Sequence, residues 1–176
     1  MTGNIFRISR RALTIDTVSV SNQRENLFHS RCLIAGNLLS LIVDRGSCAN
    51  AVSQDMVEKL GLTTNRHPKP YKLHWLDDYG AVQVTRQAKV SFEKRVHKEE
   101  LEFGVALMQV AHLLLGRPWQ FDRGIFQYGG MNCYKIRHGD KKILLKPLSP
   151  KEVREDQRQM AANRRRSKAV SSGNQA

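Results

Sequence analysis

The order of apolar and polar positions predicts a chain built mainly of β-strands. The segment RCLIAGNLLSLIVD at 31–44 carries two apolar runs around a Gly-Asn pair, which is typical of a hairpin. Alternation with a period of two recurs in KLHWLDDYGAVQV at 72–84 and continues through 90–107. Another hairpin is indicated by CYKIRHGDKKILL at 133–145, whose halves flank a Gly-Asp pair. Together these segments predict a mostly β fold.

Helices are expected to be few and short. Val52, Met56 and Leu60 recur at helical spacing around SQDMVEKLGL at 53–62, and the glycine of that segment is suited to end a helix. Two prolines in RHPKP, at 66–70, are expected to interrupt the chain before the next strands.

Composition divides the chain into three parts. Positions 1–21 are polar or mixed, without a sustained period, and are predicted to be a leader or linker. Positions 22–150 carry the strand patterns and are predicted to form one domain. Positions 151–176 are basic and helix-permissive but show no apolar face, so we expect a partly disordered tail there.

The net charge points to anionic partners without locating a site. The chain contains 29 Lys+Arg and 16 Asp+Glu, a formal net charge of +13. Seven basic and three acidic residues lie in 151–176, so this segment carries +4 and positions 1–150 carry +9. Such an excess permits attraction to nucleic acid or another polyanion, but it is spread along the chain.

Cysteine, histidine and apolar-run patterns exclude several classes of protein. Three cysteines without CxxC spacing argue against a disulfide framework and a zinc ribbon, and six histidines show no ligand spacing. We therefore predict no cofactor and no metal. The N-terminal residues lack the apolar core of a signal peptide, and no apolar run approaches the roughly 20 residues of a membrane span. An intracellular, cytoplasmic chain without a membrane partner is expected.

A single carboxylate follows the most apolar strand pattern. The stretch LIVDRGSCAN at 41–50 places Asp44 directly after three branched apolar residues, and Gly46 follows two positions later. Asp-x-Gly turns are common, so this pattern alone favours an ordinary turn over a catalytic site.

The context of that turn resembles a known family. The order is hairpin, Asp-x-Gly, short helix, long hairpin and an apolar block that ends in glycine. The segments QRENLFHSRC, VEKLGL, HPKPYKLHWLDDYG, LLLGRPWQFDRG and LLKPLSP, in this order, resemble the retropepsin-like aspartic proteases, particularly those in the polyproteins of plant gypsy-type LTR retrotransposons. The resemblance covers about residues 22–150. It implies a small closed β-barrel of the retropepsin type with one or two short helices.

The resemblance also implies roles for particular residues. Asp44 matches the family's catalytic aspartate, one per subunit, supported by Gly46 and Ser47. The other matches are the flap that closes over a peptide, at Asp77, Asp78, Tyr79 and Gly80, and the packing beneath the active-site loop, at Leu114, Leu115 and Gly116.

The implied chemistry requires a second copy of the chain. Aspartic proteolysis needs two carboxylates that share one proton, because two like charges about 3 Å apart do not both ionise easily. This chain supplies one such aspartate. The resemblance therefore implies a homodimer that hydrolyses peptide bonds of a retrotransposon polyprotein, with water activated between two aspartates.

Arg45 departs from the family that the chain resembles, in which Thr, Ser or Gly is usual at this position. Two arginines about 6 Å apart near a twofold axis would repel by roughly 3 kcal/mol at an effective dielectric near 20. A guanidinium beside the dyad would also favour ionisation of both carboxylates. Two hypotheses follow. Either Arg45 turns outward and the chain is an aspartic endopeptidase, or the chain is an inactive retropepsin-fold module that binds or scaffolds, with nucleic acid as its partner.

Overall fold

The computed structural model describes residues 5–8, 27–75, 81–128 and 132–173. Within these ranges the strands are β1 (Ile5–Ile8), β2 (Phe28–Ile34), β3 (Asn37–Val43), β4 (Ala51–Ser53), β5 (Thr64–Trp75), β6 (Ala81–Lys94), β7 (His97–Ala106), β8 (Leu113–Leu115), β9 (Phe126–Tyr128), β10 (Cys133–His138) and β11 (Lys141–Leu145). The helices are α1 (Gln54–Lys59), α2 (Arg117–Asp122) and α3 (Pro150–Gly173).

The strands form two sheets. The larger has the order β1-β5-β6-β2-β3-β8-β4-β7, and β7 also pairs with β6. The smaller has the order β11-β10-β9. The prediction of a mostly β chain with few helices is confirmed, whereas the closed barrel stays a prediction.

The predicted hairpins are present, with one shift in register. β2 and β3 are joined by Ala35 and Gly36, both at positive φ, so this turn lies one residue earlier than the Gly-Asn pair suggested. The β10–β11 turn falls at Gly139 and Asp140, as predicted. β5 and β6 pair as expected, but the turn between them, at 76–80, lies outside the described residues.

The two prolines do not end a strand. β5 runs from Thr64 to Trp75, and the register of its pairing with β6 shifts between Arg66 and Tyr71, around both prolines. A proline cannot donate a ladder hydrogen bond, and an irregularity in register accommodates that loss without ending the strand.

α1 forms where the apolar spacing predicted it. The Ser53 side chain accepts a hydrogen bond from the Met56 amide at 3.1 Å and caps the first turn. Gly61, at φ +61°, follows the last turn.

The short strand β8 is buried on both faces. Leu113 and Leu115 belong to the larger apolar cluster, which contains residues of both sheets, whereas Leu114 belongs to a smaller cluster beside loop 44–50. Successive side chains of a strand point to opposite faces, so this alternation fixes β8 between two apolar layers.

Residues 150–173 differ from the expected tail, because they form the 24-residue helix α3. Val153 and Met160 are buried, so the helix has a narrow apolar face that the sequence pattern did not indicate. Arg31 of β2 binds Asp156 through both Nε and Nη2, with the shortest distance 2.7 Å. The division of the chain into leader, domain and tail itself stays a prediction.

A capping box starts α3. The Ser149 amide and hydroxyl both donate to Glu152 Oε2 at 2.8 Å, and the Glu152 amide donates back to the Ser149 hydroxyl at 3.3 Å. Pro150 occupies the first helical position, where no amide hydrogen is needed. No helix among the described residues combines the length and the apolar character needed to cross a bilayer.

We predict that protonation of His29 weakens the fold at acidic pH. Burial lowers the pKa of His29 from 6.5 to about 4, with Asp156 opposing the shift. The unfolded chain therefore binds more protons between these values, so stability is full above pH 6.5 and falls as pH drops toward 4, by up to about 3 kcal/mol. Urea unfolding at pH 7, 6, 5 and 4 measures this dependence. The His29→Phe variant should show a flatter profile, and equal slopes for parent and variant would contradict the prediction.

Candidate active site

Asp44 begins the loop at residues 44–50, and the strand β8 lies between the two strands that flank this loop. β3 leads into loop 44–50, and β4 follows it. β8 pairs with β3 in parallel, through Val43 and Leu115, and with β4 antiparallel, through Ala51 and Leu114. The Asp44 amide donates to the Leu115 carbonyl at 3.0 Å. The ends of the loop are therefore held a fixed distance apart by a third strand.

The Asp44 carboxyl group is turned back into its own loop. Oδ1 accepts a hydrogen bond from the Gly46 amide at 2.8 Å, and Asp44 is only 3% exposed. The backbone carbonyl of Asp44 accepts from the Ser47 amide and from Gln120 Nε2, each at 3.3 Å. An amide that donates to a carboxylate stabilises its charged form and fixes its direction.

Gly116 and Ser47 make the close contact beneath this loop. Ser47 is fully buried, its hydroxyl donates to the Ala49 carbonyl at 2.8 Å, and its own carbonyl accepts from the Arg117 amide at 2.8 Å. The Gly116 amide donates to Asn50 Oδ1 at 2.8 Å. A Cβ atom at Gly116 would lie 2.3 Å from the Ala49 carbonyl oxygen, so the site requires glycine for space.

Arg45 turns toward the smaller sheet. It is exposed, and its Nη1 donates to Gln127 Oε1 of β9 at 2.6 Å. Tyr134, the partner of Gln127 in the β9–β10 ladder, is buried, and burial raises the pKa of its phenol to about 12. Arg45 lowers that pKa and Asp44 raises it, so both charges act on the Tyr134 ring. Through its contact with Gln127, the Arg45 guanidinium has a hydrogen-bond partner within its own chain.

A buried carboxylate, Glu99 of β7, anchors α2. Its Oε2 accepts from Trp119 Nε1 at 3.0 Å and from Arg123 Nε at 3.1 Å, and its Oε1 contacts His97 Nε2. His97 Nδ1 lies 2.9 Å from Nδ1 of His138 on β10. This network links β7, α2 and β10.

The structure brings together most of the residues predicted from the sequence. Asp44, Gly46 and Ser47 share the loop, and Leu114, Leu115 and Gly116 lie directly against it. The predicted flap residues, Asp77, Asp78, Tyr79 and Gly80, lie outside the described residues. Their assigned roles stay predictions.

Four residues of the site region were not identified from the sequence. Asn50, Gln120 and Gln127 are amides without a recognisable motif. Glu99 did carry a signal, since it falls on the inward phase of the alternation that includes His97 and Phe103. Within the described ranges no group of three or more His, Cys, Asp or Glu side chains is placed to hold a metal ion.

Comparison with known proteins agrees with this geometry. A family model described as "PEG10/RTL1 protease domain" matches residues 40–122, which are 83 of the 176 residues. Among solved structures, the chain is similar to the retroviral protease-like domain of Ddi1 from Leishmania major, with 16% identity and a TM-score of 0.53 over 70% of this chain and 94% of that one. The fold is retropepsin-like.

Two further solved structures are similar to this chain, with lower TM-scores. The EIAV protease in complex with the inhibitor HBY-793 is 18% identical with a TM-score of 0.46, over 60% of this chain and 95% of that one. A retropepsin-like aspartic protease from Rickettsia conorii is 16% identical with a TM-score of 0.39, over 63% and 82% respectively. Both TM-scores are below 0.5, so the fold assignment rests on the Ddi1 domain. No curated protein matches the chain.

The family model and the fold together indicate an aspartic-protease-like domain. The matched range contains the Asp44 loop, α1, β8 and α2, which are the elements that build the site. An origin in plant gypsy-type elements stays a prediction.

Gly116→Ala is expected to destabilise the domain by about 2 kcal/mol or more, because the added methyl group meets two backbone carbonyl oxygens that cannot rotate away. Gly124→Ala is a matched control, since its Cβ atom would meet nothing within 4 Å and only its positive φ is strained. Urea unfolding of both variants measures the difference. A smaller loss for Gly116→Ala than for Gly124→Ala would contradict the close contact.

Glu99→Ala is expected to cost about 3 kcal/mol or more, because it leaves the Trp119 indole and the His97 ring without their buried acceptor. Glu100→Ala removes an exposed neighbour that binds Lys89, and its effect on stability should be small by comparison, because ion pairs in water contribute little. Denaturant unfolding at pH 7 compares the two. Equal costs would show that the buried network contributes nothing specific.

Proposed function

We propose that the chain is an aspartic endopeptidase that acts as a homodimer, with Asp44 of each copy as the catalytic residue. The observation that carries this proposal is the loop that presents Asp44. β8 separates its two sides, Gly116 packs under it, and the carboxyl group is held by the Gly46 amide. A common Asp-x-Gly turn needs none of these supports.

The reaction uses the two carboxylates of the dimer in different protonation states. One Asp44 is ionised and takes a proton from water, whose oxygen forms a bond with the carbonyl carbon of the peptide. The other Asp44 is protonated and gives its proton to the carbonyl oxygen. The C–N bond then breaks: one hydroxyl of the tetrahedral diol returns its proton to one Asp44, the leaving nitrogen takes a proton from the other, and the dyad is again singly protonated. The two pKa values belong to the pair, because one shared proton serves both groups.

The position of Arg45 supports an active dimer. In the single chain the guanidinium is exposed and donates to Gln127, and the same direction in a dimer would leave its charge screened by water. At the dielectric of water, two such charges about 6 Å apart repel by about 0.7 kcal/mol, well below the cost in a less polar setting. The contact therefore favours the hypothesis in which Arg45 turns outward.

The proposed substrate is an extended segment of a retrotransposon polyprotein, cleaved inside the cell. What supports it is the resemblance of five sequence segments to the proteases of plant gypsy-type elements. The flap at 77–80 would close over the peptide in that case.

A second candidate function is a retropepsin-fold module that binds nucleic acid without catalysis. The net charge of +13 favours it. Substitution of Asp44 distinguishes the two functions, because loss of its carboxylate should abolish cleavage and leave electrostatic binding unchanged.

The test combines sedimentation equilibrium with cleavage of an apolar peptide library between pH 4 and 7. We expect the parent to dimerise and cleave, and Asp44→Asn to reduce cleavage by about a thousandfold or more. Asp122→Asn is the matched control at an exposed carboxylate, and it should retain activity. A parent that stays monomeric and inert, together with an inert Arg45→Gly variant, would overturn the proposal.

Gln127→Ala is expected to release Arg45 and to weaken the dimer by up to about tenfold, through repulsion between the two guanidinium groups. In the Arg45→Gly background the same substitution should change the dimer Kd little. Sedimentation equilibrium of the four variants gives this double-mutant cycle. An unchanged effect of Gln127→Ala in both backgrounds would show that Gln127 does not act by holding Arg45.

A further inference from the structure

The helix α3 packs on the domain with one face only. Its buried or half-buried residues recur at spacings of three and four: Val153, Asp156, Gln157, Met160, Ala161 and Arg164. Arg164 Nη1 donates to the Gln109 carbonyl at 2.9 Å, which fixes the last docked turn. From Arg165 to Val170 every side chain is exposed. The other side chains of α3 between positions 151 and 170 are exposed to solvent.

The charges on the solvent face are segregated. At 100° per residue, Lys151, Arg154, Arg158 and Arg165 lie within an arc of about 60°, and all four are exposed. We call these four residues the basic stripe. It extends about 21 Å along the helix, at a rise of about 1.5 Å per residue. From Gln157 to Gly173 the helix contains five basic residues and no acidic residue.

The acidic residues of α3 do not neutralise the stripe. Asp156 faces the domain and is bound to Arg31. Glu152 is engaged by Ser149 in the capping box. Glu155 contacts Arg158 at 3.4 Å, but both side chains are more than half exposed, and such pairs are worth little in water. Positive potential along the outer face is therefore largely uncompensated.

We propose that the basic stripe of α3 binds the phosphate backbone of nucleic acid without reading its bases. Arginines placed along about 21 Å of a rigid helix match a row of phosphates, and binding would release counterions from the polyanion. α3 contains no aromatic residue on which bases could stack. The contact is therefore electrostatic and independent of base sequence.

Nucleic acid fits this face better than a lipid surface does. A helix that lies on a membrane needs an apolar face for the acyl chains. The apolar residues Val153 and Met160 are buried against the domain, and Val170 is the one large apolar side chain that α3 exposes within its described part. The proposal does not depend on peptidase activity, and it assigns a function to the part of the net charge that lies on α3.

The experiment measures binding of the full chain to a 20-base-pair DNA duplex of random sequence between 50 and 200 mM salt. The stripe variant carries Arg154→Gln, Arg158→Gln and Arg165→Gln. The matched control carries Lys69→Gln, Lys141→Gln and Lys142→Gln, three exposed positions away from α3 with the same loss of charge. Circular dichroism and urea unfolding confirm that both variants keep the fold.

For the stripe variant we expect a loss of affinity on the order of 100-fold at 100 mM salt, and a salt slope smaller by about 2.7 for three lost phosphate contacts. The control should lose far less, and Asp44→Asn should bind like the parent. Equal losses in stripe and control variants would show that net charge alone acts, and would overturn the proposal. It would also be overturned by a parent that does not bind DNA, or that binds poly-glutamate or phosphatidylserine vesicles more tightly than DNA.

Discussion

The insertion of β8 between β3 and β4 is the constraint on which the candidate site depends. All three residues of β8 pair with β3, two of them also pair with β4, and all three are buried, so the strand has almost no freedom to move. The loop that presents Asp44 is tied to it at the Leu115 carbonyl and rests on Gly116. Because packed interiors do not deform continuously, the core sets the position of the loop, and the Gly46 amide within the loop then sets the direction of the Asp44 carboxyl group.

Polar contacts extend this constraint to the second sheet. Gln120 of α2 donates to the Asp44 carbonyl oxygen. Glu99 of β7 accepts hydrogen bonds from Trp119 of α2 and from Arg123 at the end of the helix. On the other side, Arg45 reaches Gln127 of β9. The network around Glu99 is buried, and such a network fixes one arrangement when every member is satisfied, whereas loss of one member leaves the rest with the full cost of desolvation. The site is therefore built by both sheets and α2 together.

The helix α3 shows how a charged segment of low apolar content becomes ordered. Two buried side chains, a capping box and the paired contact of Asp156 with Arg31 suffice to dock it. Docking leaves the basic residues on the outer face, because the inward positions are taken by apolar, small and neutral side chains and by groups bound to the domain. The ordering of the helix and the segregation of its charge have the same physical origin.

The sequence by itself determined most of the local elements and predicted the residues of the candidate site. Alternation placed the hairpins, helical spacing placed α1, and the apolar run before Asp44 marked the loop, because these signals lie within a few residues of one another. The start of α3 was not predicted, although Ser149 and Glu152 form the local Ser-x-x-Glu pattern of a capping box. What only the tertiary structure decided are contacts between distant positions. Arg31 meets Asp156 across 125 residues, and Arg45 meets Gln127 across 82. Whether Arg45 faces the dyad or turns outward depends on its contact with Gln127. No local sequence pattern encodes the distance between Arg45 and β9, because the two come together only when the whole core forms.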